Sequence, residues 1–345
     1  MPVNLKLVKN IKELEFQWET LDPFLFCVHH KDEYPSGTER MGINPKELVG
    51  RSVGQDFVSK DGWRMYHGKK IPGFPNHPHR GFETVTVVRK GFVDHTDSMG
   101  AAGRYSSGDT QWMTAGEGVQ HCEMFPLIHQ TQKNPTELFQ IWLNLPSVHK
   151  LVKPHFTMLW KESIPIFEHS DSSGAKTEIE LVAGSLGGLS ALPSPPNSWA
   201  ADPQNSVAIW VAKMEPFAKW TLPPAGSGIN RMIYFFEGST LQIGDSEMSV
   251  RTSAELESDS EIEIQNGETE GHFLFLQGKP IAEPIAQYGP FVMNTTKEIQ
   301  ESFYEFQKTQ FGGWHYSSHE PVHPRSKGRF AKHSDGKEEH PPKPL

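Results

Sequence analysis

The chain has 345 residues, with 33 basic side chains against 42 acidic ones and a formal charge of −9. That balance argues against a nucleic-acid-binding or anionic-membrane surface. Two cysteines, Cys27 and Cys122, exclude a disulfide framework, and 30 glycines with 27 prolines favour many short strands joined by turns over long helices.

In chain order, MPVNLKLVKNIKELEF lacks a secretory apolar region and a cleavage site. No apolar run is long enough to span a bilayer. The expectation is a soluble cytoplasmic protein, with the nucleus open for a eukaryotic source. Residues 1–20 read as one or two strands and a short amphipathic piece. LDPFLFCVHH (21–30) reads as an apolar strand behind a proline turn. Residues 31–72 are polar and irregular, a long surface excursion of the kind that is more often functional than idle.

The stretch 73–125 carries the chemistry. FETVTVV (82–88) alternates and is β-branched, so it reads as a strand. Arg89-Lys90-Gly91 turns, FVDHT (92–96) returns, and Gly108-Asp109 turns into TQWMTAGEGVQHCEMF. Two pairs of ligand-type residues flank this region, His77/His79 and His121/Glu123, each pair two residues apart. In a strand that spacing places both side chains on one face. Three imidazoles and a carboxylate aimed at one point suit a first-row divalent ion with open positions. Strand parity lets Glu83 face the same way. His95, beside Asp94 and Asp97, could line the pocket or simply pack. Gln111 and Trp112 are candidates for the pocket wall, with packing as the equal alternative. Arg80 should point off the metal face into a structural ion pair. Cys122 should point to the opposite face from its neighbours.

ELFQIWLNL (137–145) is the next strand, ended by Pro146. Beyond it, EIELVAGSL, SVAIWVAKM, RMIYFFEG, TLQIG, EIEIQ and HFLFLQG repeat the hairpin rhythm. They read as a second, diverged copy of the same all-β unit. His155, His169 and His272 sit in separate segments without any H-x-H, so this copy offers no metal site. A capping box at Thr295 and Glu298 opens one helix, with Ile299, Phe303 and Phe306 on one face and Gly312-Gly313 at its end. The last thirty or so residues, with five histidines, read as an extended tail ordered only if it lies on the body. The tail histidines share no spacing and read as solvated.

The residues His77, His79 and Glu83 fit the first motif of the jelly-roll barrels called cupins. Gly108, Gly116 and His121 fit the second, with Thr114 in place of the usual proline and a longer gap to the histidine. Within that superfamily, HPHRGFET (77–84) and GDTQWMTAGEGVQHCEM (108–124) closely resemble the pirin family, as do LDPFL (21–25) and YGPFVMNT (288–295). The resemblance runs from about residue 20 to residue 310. It implies an all-β protein of two cupin domains in tandem with a C-terminal helix and extended tail. The boundaries drawn are 1–146 for a metal-binding cupin, 147–293 for a cupin without metal and 294–345 for helix and tail. It further implies one divalent metal, iron before other first-row metals, held by His77, His79, His121 and Glu123, leaving Glu83 outside the ligand set. Pirins often have a small apolar residue where Cys122 stands and a basic one where Glu117 stands; the latter puts an anionic partner surface there in doubt. The implied activity is that of a quercetin 2,3-dioxygenase, acting on a small aromatic substrate such as a flavonol with O2. The alternative is a metal- or redox-responsive regulatory protein that acts through a protein partner.

Overall fold

The computed structural model describes residues 6–343. The strands that position the site and the two main sheets are β1 (Val8–Glu13), β2 (Gly73–His79), β3 (Phe82–Lys90), β4 (Phe92–Asp97), β5 (Ala102–Ser106), β6 (Thr110–Thr114), β7 (Val119–Met124), β8 (Asn134–Asn144), β9 (His155–Leu159), β10 (Lys176–Ala183), β11 (Ala208–Met214), β12 (Asn230–Glu237), β13 (Thr252–Leu256) and β14 (Gly271–Gly278), with Phe24–Tyr34 and several shorter strands beside them. The helix α1 (Thr296–Thr309) and a last short strand used below, β15 (Phe330–Lys332), follow. No helix among the described residues is long and apolar enough to cross a membrane.

The chain divides into two compact units, and neither is continuous. One joins the segment ending at Cys27 to Ser163–Ala282; the other joins Val28–Glu162 to everything from Glu283 onward. Tandem blocks ending at 146 and 293 therefore do not describe the packing. The N-terminal segment belongs with the second cupin, and the helix and tail belong with the first.

In the unit built on 163–282, a sheet runs β1, β13, β12, β14, β11, β10 and ends on the strand Ile166–Ser170. A smaller sheet of Lys219–Leu222, Ile262–Asn266, Thr240–Ile243 and Ser246–Ser249 accompanies it. Its core is a cluster of alternating strand residues, among them Leu181, Trp210, Ile233, Phe235, Phe273 and Phe275. Every residue of β14 is buried, which fits a strand in mid-sheet whose run HFLFL is continuous rather than alternating.

In the other unit, β9, β6, β3 and β8 lie side by side in one sheet, and β15, β5, β4, β7 and β2 in another. The register is regular: Thr84 faces Trp142 and Met113 across its two neighbours, and Thr86 faces Gln140 and Gln111. Residues two apart share a face, so Thr84, Thr86, Gln111, Met113, Gln140 and Trp142 line one side of this sheet. Glu83, Val85 and Trp112 line the other. The 31–72 excursion is more than surface: Trp63, Met65 and Tyr66 from it join Tyr34, Tyr105, Phe125 and Phe156 in one buried aromatic cluster.

The helix begins as its sequence indicates. Thr295 Oγ accepts from the Glu298 amide at 3.2 Å, and the Glu298 carboxylate returns to the Asn294 amide at 3.1 Å. Its end is different: Gln310, at φ 51°, is the first left-handed residue, ahead of the glycine pair. Ile299, Phe303 and Phe306 pack on Phe291 and Phe311. The tail is docked, with β15 added to the edge of β5 so that Phe330 faces Arg104.

Candidate metal centre

Three imidazoles meet where β2 and β7 pair. His77 lies directly opposite His121, and β4 pairs on the other side of β7 so that His95 lies opposite Glu123. The pairing brings together residues 44 apart in sequence. One ligand atom from each of His77, His79 and His121 falls within 4.8 Å of the others; among the described residues this is the single such cluster of three or more possible ligands.

The polarity of the cluster is legible from its hydrogen bonds. His77 Nδ1 lies 2.8 Å from the Pro75 carbonyl, which can only accept, so Nδ1 carries the proton and Nε2 is bare. That bare nitrogen sits 3.0 Å from Nε2 of His121. His121 is fully buried, and its Nδ1 has no protein partner. Burial holds His77 down to about 4 and lowers His79 and His121 as well. The three rings are therefore neutral, the form that binds a metal. A neutral His121 carries one proton: on Nε2 it makes this contact a hydrogen bond to His77 Nε2, and on Nδ1 it leaves both Nε2 lone pairs free for a cation. The donor set accordingly fits a divalent ion that accepts imidazole.

Glu123 stands beside this cluster. Its Oε2 is 3.8 Å from His121 Nε2. Thr86 Oγ contacts Oε1 at 3.0 Å, Gln140 Nε2 donates to Oε2 at 3.1 Å, and the Tyr105 hydroxyl approaches Oε1 at 3.5 Å. Burial raises its pKa, opposed by these neighbours and by His95. Thr86, Tyr105 and Gln140 escaped the sequence reading. Gln140 left a signal there, as the one amide in the apolar run of β8.

The remaining candidates separate by face. His95 is inside and buried, its ring centroid 5.4 Å from that of His121 and stacked on Phe156. Gln111 is inside, fully buried, with neither amide atom partnered. Trp112 and Glu83 are on the other face of the sheet, so Trp112 takes the packing alternative and Glu83 does not face the way parity from His79 gave it. Glu83 accepts from its cross-strand partner Thr114 at 2.6 Å. Arg80 pairs with Glu305 at 2.8 Å and lies over the Phe311 ring. Cys122 turns from the histidines to within 3.7 Å of the Pro321 carbonyl.

Two sheet-rich units, one carrying three convergent histidines, define a bicupin with one candidate metal centre among the described residues. A family model described as Pirin matches residues 6–143, and one described as Pirin C-terminal cupin domain matches 209–312. Pirin of Homo sapiens is 32% identical over 281 residues, covering 80% of this chain and 90% of that protein. A Pseudomonas aeruginosa protein provisionally named as a quercetin 2,3-dioxygenase is 34% identical over 242 residues, covering 69% and 79%. A crystal structure of quercetin 2,3-dioxygenase from Acinetobacter baumannii superposes with a TM-score of 0.70 at 26% identity, covering 89% of this chain and 98% of that one. The chain belongs to the pirin family.

Proposed function

We propose that the protein is a metal-dependent dioxygenase of the quercetin 2,3-dioxygenase type. In this reading His77, His79, His121 and Glu123 hold one Fe(II). The observation that carries the reading is the convergence of three neutral imidazoles, with bare His77 Nε2 at 3.0 Å from His121 Nε2. The relatives named above supply the reaction class.

The bound ion would act as a Lewis acid toward the substrate's enol oxygen and bring O2 to it. The chain's own residues do the rest. Glu123 is the base for the substrate hydroxyl proton, because burial raises its affinity for a proton. Thr86 and Gln140 fix the carboxylate's plane. His95 and Gln111 supply polar contacts inside the barrel, while Trp142 and Phe82, stacked at 3.9 Å, wall off water behind His79. Both atoms of O2 enter the opened ring, and carbon monoxide carries away the lost carbon.

The burial of His79, His121 and Glu123 favours a second reading, in which the metal sets a surface that a protein partner reads and nothing turns over.

The test is anaerobic Fe(II) loading, then O2 uptake with quercetin and detection of carbon monoxide, for the native chain and His121→Ala. Metal-dependent uptake with carbon monoxide release, absent in the variant, is the expected result. Stoichiometric metal with no uptake on any enolisable aromatic moves the assignment to the second reading. No metal after loading overturns both.

A further inference from the structure

We propose that residues 314–332 form a strap that positions the metal-ligand strands from outside, so that strap docking and metal binding are coupled. The inference rests on the reading of the three histidines and Glu123 as a metal site. The strap lies beyond the family match, which ends at residue 312.

Strand parity sets up the lever. Along β2, β4, β5 and β7, residues that face the site alternate with residues that face away. His77, His121, Glu123, His95 and Tyr105 face the site, and the chain around each is gripped from the far side. The Asn76 amide donates to the His319 carbonyl at 2.9 Å, one residue before His77. Gln120, before His121, donates to the Gln310 carbonyl at 2.7 Å, at the root of the strap. Cys122, between His121 and Glu123, meets the Pro321 carbonyl. The His95 carbonyl itself accepts from His323 Nε2 at 3.1 Å.

Arg104 is the lock. Its guanidinium has five N–H groups, and all five are used. Nε and one Nη2 proton bind the two oxygens of Asp94, at 2.7 Å each. The other three bind the carbonyls of His323, Pro324 and Lys327 at 2.9, 2.9 and 2.8 Å. Asp94 in turn accepts the His323 amide at 2.8 Å. Arg104 and Asp94 are buried, face one another across the β4–β5 ladder and sit next to Tyr105 and His95. A buried ion pair stripped of three partners must hydrate or move, and it takes its inward neighbours with it. By linkage, whatever the strap adds to metal affinity the metal adds to strap docking.

The test compares the full chain with Arg325→Ala and with a chain ending at Gly313. The Arg325 guanidinium ties the strap to the carbonyls of Thr38, Glu39, Leu127 and Ile128 and touches no ligand strand. Three quantities are read: Co(II) affinity by chelator competition, the visible spectrum of the bound Co(II), and the alkylation rate of the Cys122 thiol by peptide mass. Both altered chains should bind Co(II) at least about tenfold more weakly, the size of effect that loss of an outer support has on a metal site. Their Co(II) spectrum should shift and Cys122 should react faster. Loading the full chain with metal should slow Cys122 by a comparable factor. Unchanged affinity and spectrum in a chain whose Cys122 has become reactive would overturn the coupling while leaving the metal assignment standing. A full chain that takes up neither Co(II) nor Fe(II) overturns the metal assignment, and this inference with it. Should the shortened chain fail to fold, Arg325→Ala decides alone.

Discussion

Glu83 and Glu123 lie in neighbouring parts of one barrel and have opposite roles. Glu123 approaches His121 and is held by Thr86 and Gln140; Glu83 is buried on the other face of the sheet against Thr114. Glu123→Gln should therefore lower metal affinity by more than the roughly 10–100-fold that an outer partner costs. Glu83→Gln should leave it unchanged in the same chelator competition. A metal-binding loss in Glu83→Gln would reverse the assignment. Gln111 gives a second test at this scale. Its amide is buried without a protein partner, and such an amide costs about 1–3 kcal/mol unless something fills it. Gln111→Met should raise the melting temperature of the metal-free protein by a few degrees and raise KM for the substrate. A fall in stability would mean that the amide is already satisfied. That His77 and His79, and likewise His121 and Glu123, share a face was legible because period two is local arithmetic. The misplacing of Glu83 has a specific cause. Counting parity from His79 to Glu83 assumes one strand, but Arg80-Gly81 is a turn with Gly81 at φ 84°, and the count restarts at Phe82.

That turn shows what the elements require of single positions. Gly81 is left-handed, and a Cβ there would run into the Val292 carbonyl. Gly81→Ala combines backbone strain with a clash against main chain. It should cost about 3 kcal/mol or more in urea unfolding, by displacing β2 and β3 together; a cost under 1 kcal/mol would show that the turn can relax. A second element-scale property is acid sensitivity. Glu137, at the start of β8, is 3.0 Å from His29 Nε2, 3.3 Å from Arg89 Nε and 3.1 Å from Lys90 Nζ. Burial works to raise its carboxyl, but the His29 hydrogen bond and the Arg89 charge outweigh it and hold the pKa down to about 2. The folded value is below the unfolded one, near 4.5. The stabilisation is therefore present above the unfolded value and is lost as pH falls from about 4.5 to about 2. Its size is on the order of 3 kcal/mol. Glu137→Gln should lose stability at pH 7 and show a flatter acid limb between those values; parallel limbs for the two proteins would remove Glu137 as the cause. The strands themselves were readable from alternation and turn residues. The burial of Trp63, Met65 and Tyr66 was not, because residues 31–72 have no period to read and their aromatic contacts come from other strands.

At the scale of the whole molecule, the route of the chain is what sequence patterns could not disclose. β1 pairs with β13 in the register Val8 to Leu256, and α1 with the strap belongs to the unit of the metal site. Nothing local in VKNIKE or in the helix states where either docks. Contiguous boundaries were therefore the natural reading, and cutting out the contiguous part of the unit that holds the histidines gives the last prediction. Residues 28–162 contain His77, His79, His121 and Glu123 with β2 and β7 that carry them, but not β15, which extends the same sheet. They lack the partners that the segment from Glu283 onward supplies. Lys150, buried, donates to the Gly81 and Asn144 oxygens from within the fragment, but its third acceptor is the Val292 carbonyl. Arg80 loses Glu305, Arg104 loses three of its five acceptor contacts, and the Phe311 ring packed on Gly118 is gone. Each vacancy leaves a buried donor or an apolar surface in water, and together they exceed the few kcal/mol by which a domain is stable. The 28–162 fragment alone should thus show no cooperative thermal transition and no metal uptake, although it holds every proposed ligand. Adding the 283–345 peptide in trans should restore both, in proportion to its concentration. A cooperative transition in the fragment alone would show that the metal cupin is complete without its C-terminal partner segment, and the strap would then be an accessory rather than part of the barrel.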